Sequence, residues 1–368
     1  MVVEVGGLLF VSGFPRVPHT PPRAPSLWKS ADGGQTWDAV DVGSPQDGAV
    51  GNSDVDLAVG PDGTLYFLTM GFNRTTSEGT HVAVGVSRDR GSTWVWTRLS
   101  DTRLDDRPWI AIAADGTAHI IWNDGSGVCY AVSTDRGETW REHPRIHPLG
   151  GSSHLAAGPR GELAVRITPR SASGHRFDAG VDLIAVSTDG GGTWTKRPAP
   201  GRRDWPETIT AETVPRWVEP LAWNSDGALY SLWSEGRVVR LARSVDRGGT
   251  WQEWTIHDGA GVAFYPFLTA SGSGELAASW FSSSDSLRVH VVLIRPAAAP
   301  DAHPQLIRAN PIVPETWSLE ADGSKRGDSA GEYVPLTFLA DGDLGLVTTL
   351  QDPNTNRFGF TWWRIQTR

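Results

Sequence analysis

Ser30-Ala31-Asp32-Gly33-Gly34-Gln35-Thr36-Trp37 is the first of five copies of one pattern, Ser-x-Asp-x-Gly-x-Thr-Trp. The other four run Ser87 to Trp94, Ser133 to Trp140, Ser187 to Trp194 and Ser244 to Trp251. Successive copies start 57, 46, 54 and 57 residues apart, which is one supersecondary unit per copy and the period of a propeller or a similar repeat array. The pattern has a local physical reading. Ser and Asp side chains bond the backbone of a tight turn, Gly takes a positive φ, and Thr-Trp returns into a strand with the indole packed under the turn.

A second repeat is interleaved with the first. Its form is an apolar strand, a two-residue turn ending in Gly, and a second apolar strand, the signal of a β-hairpin. Copies pair 55–59 with 65–68, 109–113 with 118–122, 155–157 with 163–167, 218–223 with 229–233, 264–269 with 276–281, and 333–339 with 344–350. The opening hairpin, 2–5 with 8–11, makes seven. A third strand leads into each Ser-x-Asp turn and a fourth leaves from its Trp, so each unit predicts a four-stranded antiparallel blade. The last two units lack the turn motif, and the final one stops at a third strand. The expectation is an all-β fold, a β-propeller of seven blades over residues 1–368 as one domain. Six blades result if the Met1 segment only completes the last one.

Composition narrows the functional classes. With 42 Gly and 25 Pro the chain is rich in turns, and a closed propeller makes one domain of 368 residues. No apolar run approaches the ~20 residues that span a bilayer. The formal charge of −9, without a basic stripe, argues against nucleic acid or an anionic membrane as partner. Cys129 is the single cysteine, in a strand-like apolar run where a buried, inert thiol is expected. The first residues lack the basic and apolar regions of a signal peptide, and the compartment is left open between export of a processed form and the cytoplasm. Among the 18 tryptophans, Trp122, Trp223, Trp233 and Trp280 are placed at the ends of second strands, packing between blades.

Topology says where a ligand would bind. If the first strand of each blade lines the channel, the Gly turns and Ser-x-Asp turns share one face. The fourth-to-first and second-to-third connections then ring the channel mouth on the other, where a rigid scaffold presents binding residues. The candidates there are Asp54, Asp106, Arg107, Trp109, His154, Arg216, Trp217, Glu219, Arg237, Tyr265 and Tyr333. Trp109 and Trp217 are suited to stack on a sugar ring. The histidines show no metal-ligand spacing and no cofactor motif appears, so none is expected; a Ca²⁺ held by loop oxygens is left open.

The five turns resemble Asp-boxes, the hairpin signature of sialidase-like β-propellers, over nearly the whole chain. In that family the Asp-box is a structural staple on the face away from the active site. Two further segments resemble sialidases. Glu332-Tyr333-Val334-Pro335-Leu336 with Asp341-Gly342 is similar to the late segment that bears the tyrosine nucleophile. Trp217-Val218-Glu219-Pro220-Leu221 with Asp226-Gly227 is similar to the segment whose glutamate activates that tyrosine. The resemblance implies Tyr333 as nucleophile and Glu219 as its base, a sensible pair because phenol, with pKa near 10, attacks poorly until a carboxylate takes its proton. The acid would be Asp106 or Asp54, and Arg107, Arg216 and Arg237 would hold an anionic group of the substrate.

The family's arginine triad is not intact here. Its first member falls before Met1, the position of the second holds Trp233-Ser234, and the loop 13–26 has no Asp for the family's acid. Bidentate recognition of a carboxylate needs such arginines in place. The expectation is therefore a glycoside hydrolase acting on an acidic or complex glycan at the channel mouth, but not a true sialidase. Two alternatives stand beside it. One is a polysaccharide lyase, in which Tyr333 or His154 takes the proton α to a uronate carboxylate. The other is a non-catalytic propeller that binds a glycan or a protein at the same mouth.

Overall fold

The computed structural model describes residues 1–13, 24–73, 75–76, 78–169, 182–201, 219–283, 286–297, 299, 302–313, 333–352 and 357–367. Among the described residues seven antiparallel sheets stand in a ring, six of four strands and the last of three. The molecule is a seven-bladed β-propeller, so the Met1 segment opens a blade of its own. The first strands are Val2–Val5, Val55–Val59, Asp106–Ile112, Gly150–Ala157, Leu221–Trp223, Val262–Ala270 and Leu336–Phe338. All seven contribute to the wall of a central cavity of about 300 Å³, which makes them the inner strands.

Each blade buries both faces against its neighbours, which is why its strands read as continuous apolar runs. Tyr66, Leu68 and Val84 of blade two pack on Ile110, Ile120 and Cys129 of blade three. Trp109, Ile121 and Tyr130 of blade three pack on Leu155 and Val165 of blade four. Cys129 is buried in the seam between blades two and three, and burial pushes its thiol up to about 12. The ring closes between blades seven and one through Val2, Val11 and Val347 under Trp37, Phe360 and Trp362.

The Ser-x-Asp turns follow their chemistry. In the third, Ser133 Oγ donates to Asp135 Oδ1 at 2.7 Å, the Gly137 N–H donates to Ser133 Oγ at 2.8 Å, and the Thr139 N–H donates to Asp135 Oδ1 at 2.9 Å. The glycines at the fifth position of the five copies have φ between 78° and 95°. The residue before each also has positive φ, including Arg90, Arg136 and Arg247. Under two turns the indole N–H donates to the glycine carbonyl, Trp37 to Gly34 at 3.1 Å and Trp94 to Gly91 at 3.2 Å.

Three placements differ from expectation. Trp223 ends the inner strand of blade five, not a second strand, because the turn closed by the Ala228 N–H to Asn224 Oδ1 bond follows it directly. Glu219 and Tyr333 lie just ahead of their inner strands, which begin at Leu221 and Leu336.

Candidate functional site

The mouth end of the inner strands is built from irregular backbone. The ladder slips in blade three opposite Ile121–Asn123, in blade four between Ser152 and His154, and in blade six between Phe264 and Phe267. Two non-glycine residues in these slips have positive φ, Arg107 at 49° and Tyr265 at 50°. A bulge of this kind re-aims a side chain, and backbone strain held by the surrounding sheet marks a place where position matters.

The slips help to gather an aromatic cluster across the channel. Trp109 of blade three meets the Tyr333 ring edge-on at 5.3 Å and the His154 ring at 4.8 Å. His154 in turn meets Phe267 of blade six at 6.4 Å. The Tyr333 hydroxyl donates to Asp54 Oδ2 at 3.3 Å, joining residues 279 positions apart. Trp109, His154 and Phe267 also form part of the cavity wall, with Asp56, Thr269 and Thr337.

Glu219 is buried between blades four and five. It pairs with the guanidinium of Arg166, which also donates to Asp182 Oδ2 at 2.9 Å. Arg166 is fully buried, and its Nε and Nη1 find no hydrogen-bond partner among the described residues. Its signal in the sequence is an arginine at an alternate position inside the apolar run Leu163-Ala164-Val165-Arg166-Ile167, which needs buried partners.

The other candidates are dispersed around the rim. Asp106 is partly exposed and lies 3.7 Å from Arg107 Nε, while the Arg107 side chain is buried. Asp105 beside them is a turn holder, accepting bonds from Ser100 Oγ, Thr102 Oγ1 and the Thr102 N–H. Arg237 is exposed and pairs with Asp258 at 3.0 Å. Tyr265 is buried, edge-on to Phe264 at 5.3 Å. Arg216 and Trp217 lie outside the described residues.

Three groups on the cavity wall have shifted acidity, among them the Met1 ammonium, which burial pulls down to about 5. Burial pulls His154 down to about 4, so its imidazole is neutral at pH 7. Burial pushes Asp56 up to about 7, against the opposing bonds from the Ile110 and Leu57 N–H groups. Among the described residues no three His, Cys, Asp or Glu side chains converge as metal ligands, and no helix is long and apolar enough to cross a membrane.

No family model and no curated protein matches the chain. Solved structures share its fold. An ulvan lyase bound to a GlcA(1-4)Rha3S oligosaccharide has a TM-score of 0.54 at 11% identity, over 99% of this chain and 91% of that one. A mutant of the NanB sialidase from Streptococcus pneumoniae has a TM-score of 0.53 at 12% identity, over 85% and 68%. An α-L-arabinofuranosidase from Fusarium graminearum has a TM-score of 0.51 at 14% identity, over 80% and 91%. The chain thus has a propeller fold found in glycoside hydrolases and in a polysaccharide lyase. At these identities the likeness is one of fold, and function has to be argued from the site.

Proposed function

We propose that this protein is a carbohydrate-active enzyme of the sialidase-like, Asp-box type, a glycoside hydrolase but not a true sialidase, working at the channel mouth on an acidic or complex glycan. The observation that carries this reading is the Tyr333 hydroxyl on the Asp54 carboxylate at 3.3 Å, set against Trp109 at the mouth. In this scheme Tyr333 attacks the anomeric carbon as its hydroxyl proton passes to Asp54. The glycosidic C–O bond breaks, and Asp106 protonates the leaving oxygen. Water then hydrolyses the glycosyl-tyrosine bond. Asp54 thereby takes the role expected of Glu219, whose carboxylate engages Arg166. Arg107, Arg216 and Arg237 remain the proposed anchors for an anionic group, with Trp109, Trp217 and Tyr265 as aromatic contacts.

The test is a screen of chromogenic glycosides and uronate-containing polysaccharides, followed by Tyr333→Phe and Asp54→Asn on any substrate turned over. Removing a positioned proton acceptor is expected to lower kcat/KM by about 10²–10⁴-fold for Asp54→Asn. Tyr333→Phe should lose at least as much, with circular dichroism unchanged. Wild-type activity in Tyr333→Phe would sink the scheme. An unsaturated uronate product, seen by its ultraviolet absorbance, would replace hydrolysis with β-elimination at the same tyrosine.

A further inference from the structure

We infer that His154 serves the site as a neutral hydrogen-bond donor through Nε2–H, recognising an acceptor oxygen of the glycan, and is not the base that removes a substrate proton. The role toward a glycan rests on the function proposed above; the protonation state itself does not.

The argument begins with one bond. The Leu221 N–H of blade five donates to His154 Nδ1 at 3.3 Å. A backbone N–H can only donate, so Nδ1 must keep its lone pair, and the single proton of a neutral imidazole then sits on Nε2. Protonating Nδ1 would set N–H against N–H and forfeit that bond. The lone pair that a general base would offer is thus already in use on the blade-five backbone. Nε2–H is then the group left to donate, on a ring that forms part of the cavity wall.

The surroundings act in the same direction. Trp109 and Phe267 strip water from the ring, and burial holds its pKa near 4. Arg166 is the direct cross-strand partner of His154 in the blade-four ladder. The carboxylates of Asp182 and Glu219 face this seam but are engaged with the Arg166 guanidinium. Asp56, elsewhere on the cavity wall, accepts the Leu57 and Ile110 N–H groups. Tyr333 and Asp54 lie beyond Trp109. A neutral N–H donor fixed in this way can steady an oxygen on which negative charge grows, without a proton of its own to lose at neutral pH.

The deciding experiment is long-range ¹H–¹⁵N NMR on the full chain labelled at histidine, with His154 assigned by the signals lost in His154→Gln and, independently, in His154→Asn. The expected pattern is Nε2 protonated and Nδ1 bare, unchanged from pH 8 to about 5. A proton on Nδ1, or titration at the ordinary histidine value of about 6.5, overturns the inference. No substrate is needed, so failure to find a glycan would sink the proposed function and leave this result standing. On a turned-over glycan, the acid limb of kcat/KM is expected at the same pH in His154→Gln as in wild type. A limb that vanishes in that variant would make His154 the base.

Discussion

Asp56 is 5% exposed, and its two oxygens accept the Leu57 N–H at 2.8 Å and, across the seam between blades two and three, the Ile110 N–H at 3.0 Å. Desolvation outweighs those bonds and raises its pKa to about 7. The folded state therefore holds this proton more tightly than the unfolded chain, whose aspartates titrate near 3.9. The sign follows: this group's contribution to stability falls as pH rises from about 4 to 7 and is flat outside that window. In Asp56→Asn that component of the slope should vanish. Urea midpoints for both proteins at several pH values between 4 and 8 would show it, and parallel curves would refute it. The sequence placed Asp54 at the mouth, two positions before Asp56. It offered no means of knowing that Asp54 meets Tyr333, because that contact depends on how four intervening blades bring blade seven round to blade two.

The most legible elements are the Ser-x-Asp turns, because every bond that makes them lies within eight residues. Asp89 illustrates their chemistry: the Thr93 hydroxyl and N–H, with the Ser87 hydroxyl, hold its carboxyl down to about 2. What the pattern could not show is where each turn rests. Gly191 has φ 89°, and a Cβ there would strike the Tyr130 hydroxyl of blade three. Gly191→Ala combines an incompatible φ with a clash and should destabilise the protein by about 1–3 kcal/mol. A denaturant midpoint equal to wild type would contradict this. The bulges at Arg107 and Tyr265 are the opposite case. A ladder slip is decided by how two strands pair, and neither segment has a glycine that would have announced a positive φ.

The ring must close on itself, and it does so through its last, three-stranded blade. Trp37 of blade one meets Phe360 at 5.0 Å and Trp362 at 5.7 Å, and Trp28 meets Phe360 at 5.2 Å. Trp362 also covers Gly34 and Gly345. Aromatic contact thus joins the blades where no strand is shared. Trp362→Ala should cost about 2–4 kcal/mol, somewhat below the range for a fully buried tryptophan because this one is only partly buried. Hydrogen exchange should then quicken first in Val2–Val5 and Arg357–Ile365, on either side of the seam. Uniform loss of protection around the ring would show that the seam is not the weak point.

By itself the sequence determined the repeat, the turns and the strand order within a blade, since each depends on side-chain patterning over a few residues, whereas the choice between seven blades and six waited on the pairing of the Met1 segment. The first strand of each blade as the inner one was also legible. Only the tertiary structure decided which mouth residues meet. Tyr333 bonds Asp54, Glu219 is drawn to Arg166, and His154 is turned by a backbone N–H from the next blade. The physical reason is the architecture. Each blade is specified by local contacts, whereas the candidate site draws on single residues of different blades, whose separations are set by ring closure, ladder slips and packing between sheets.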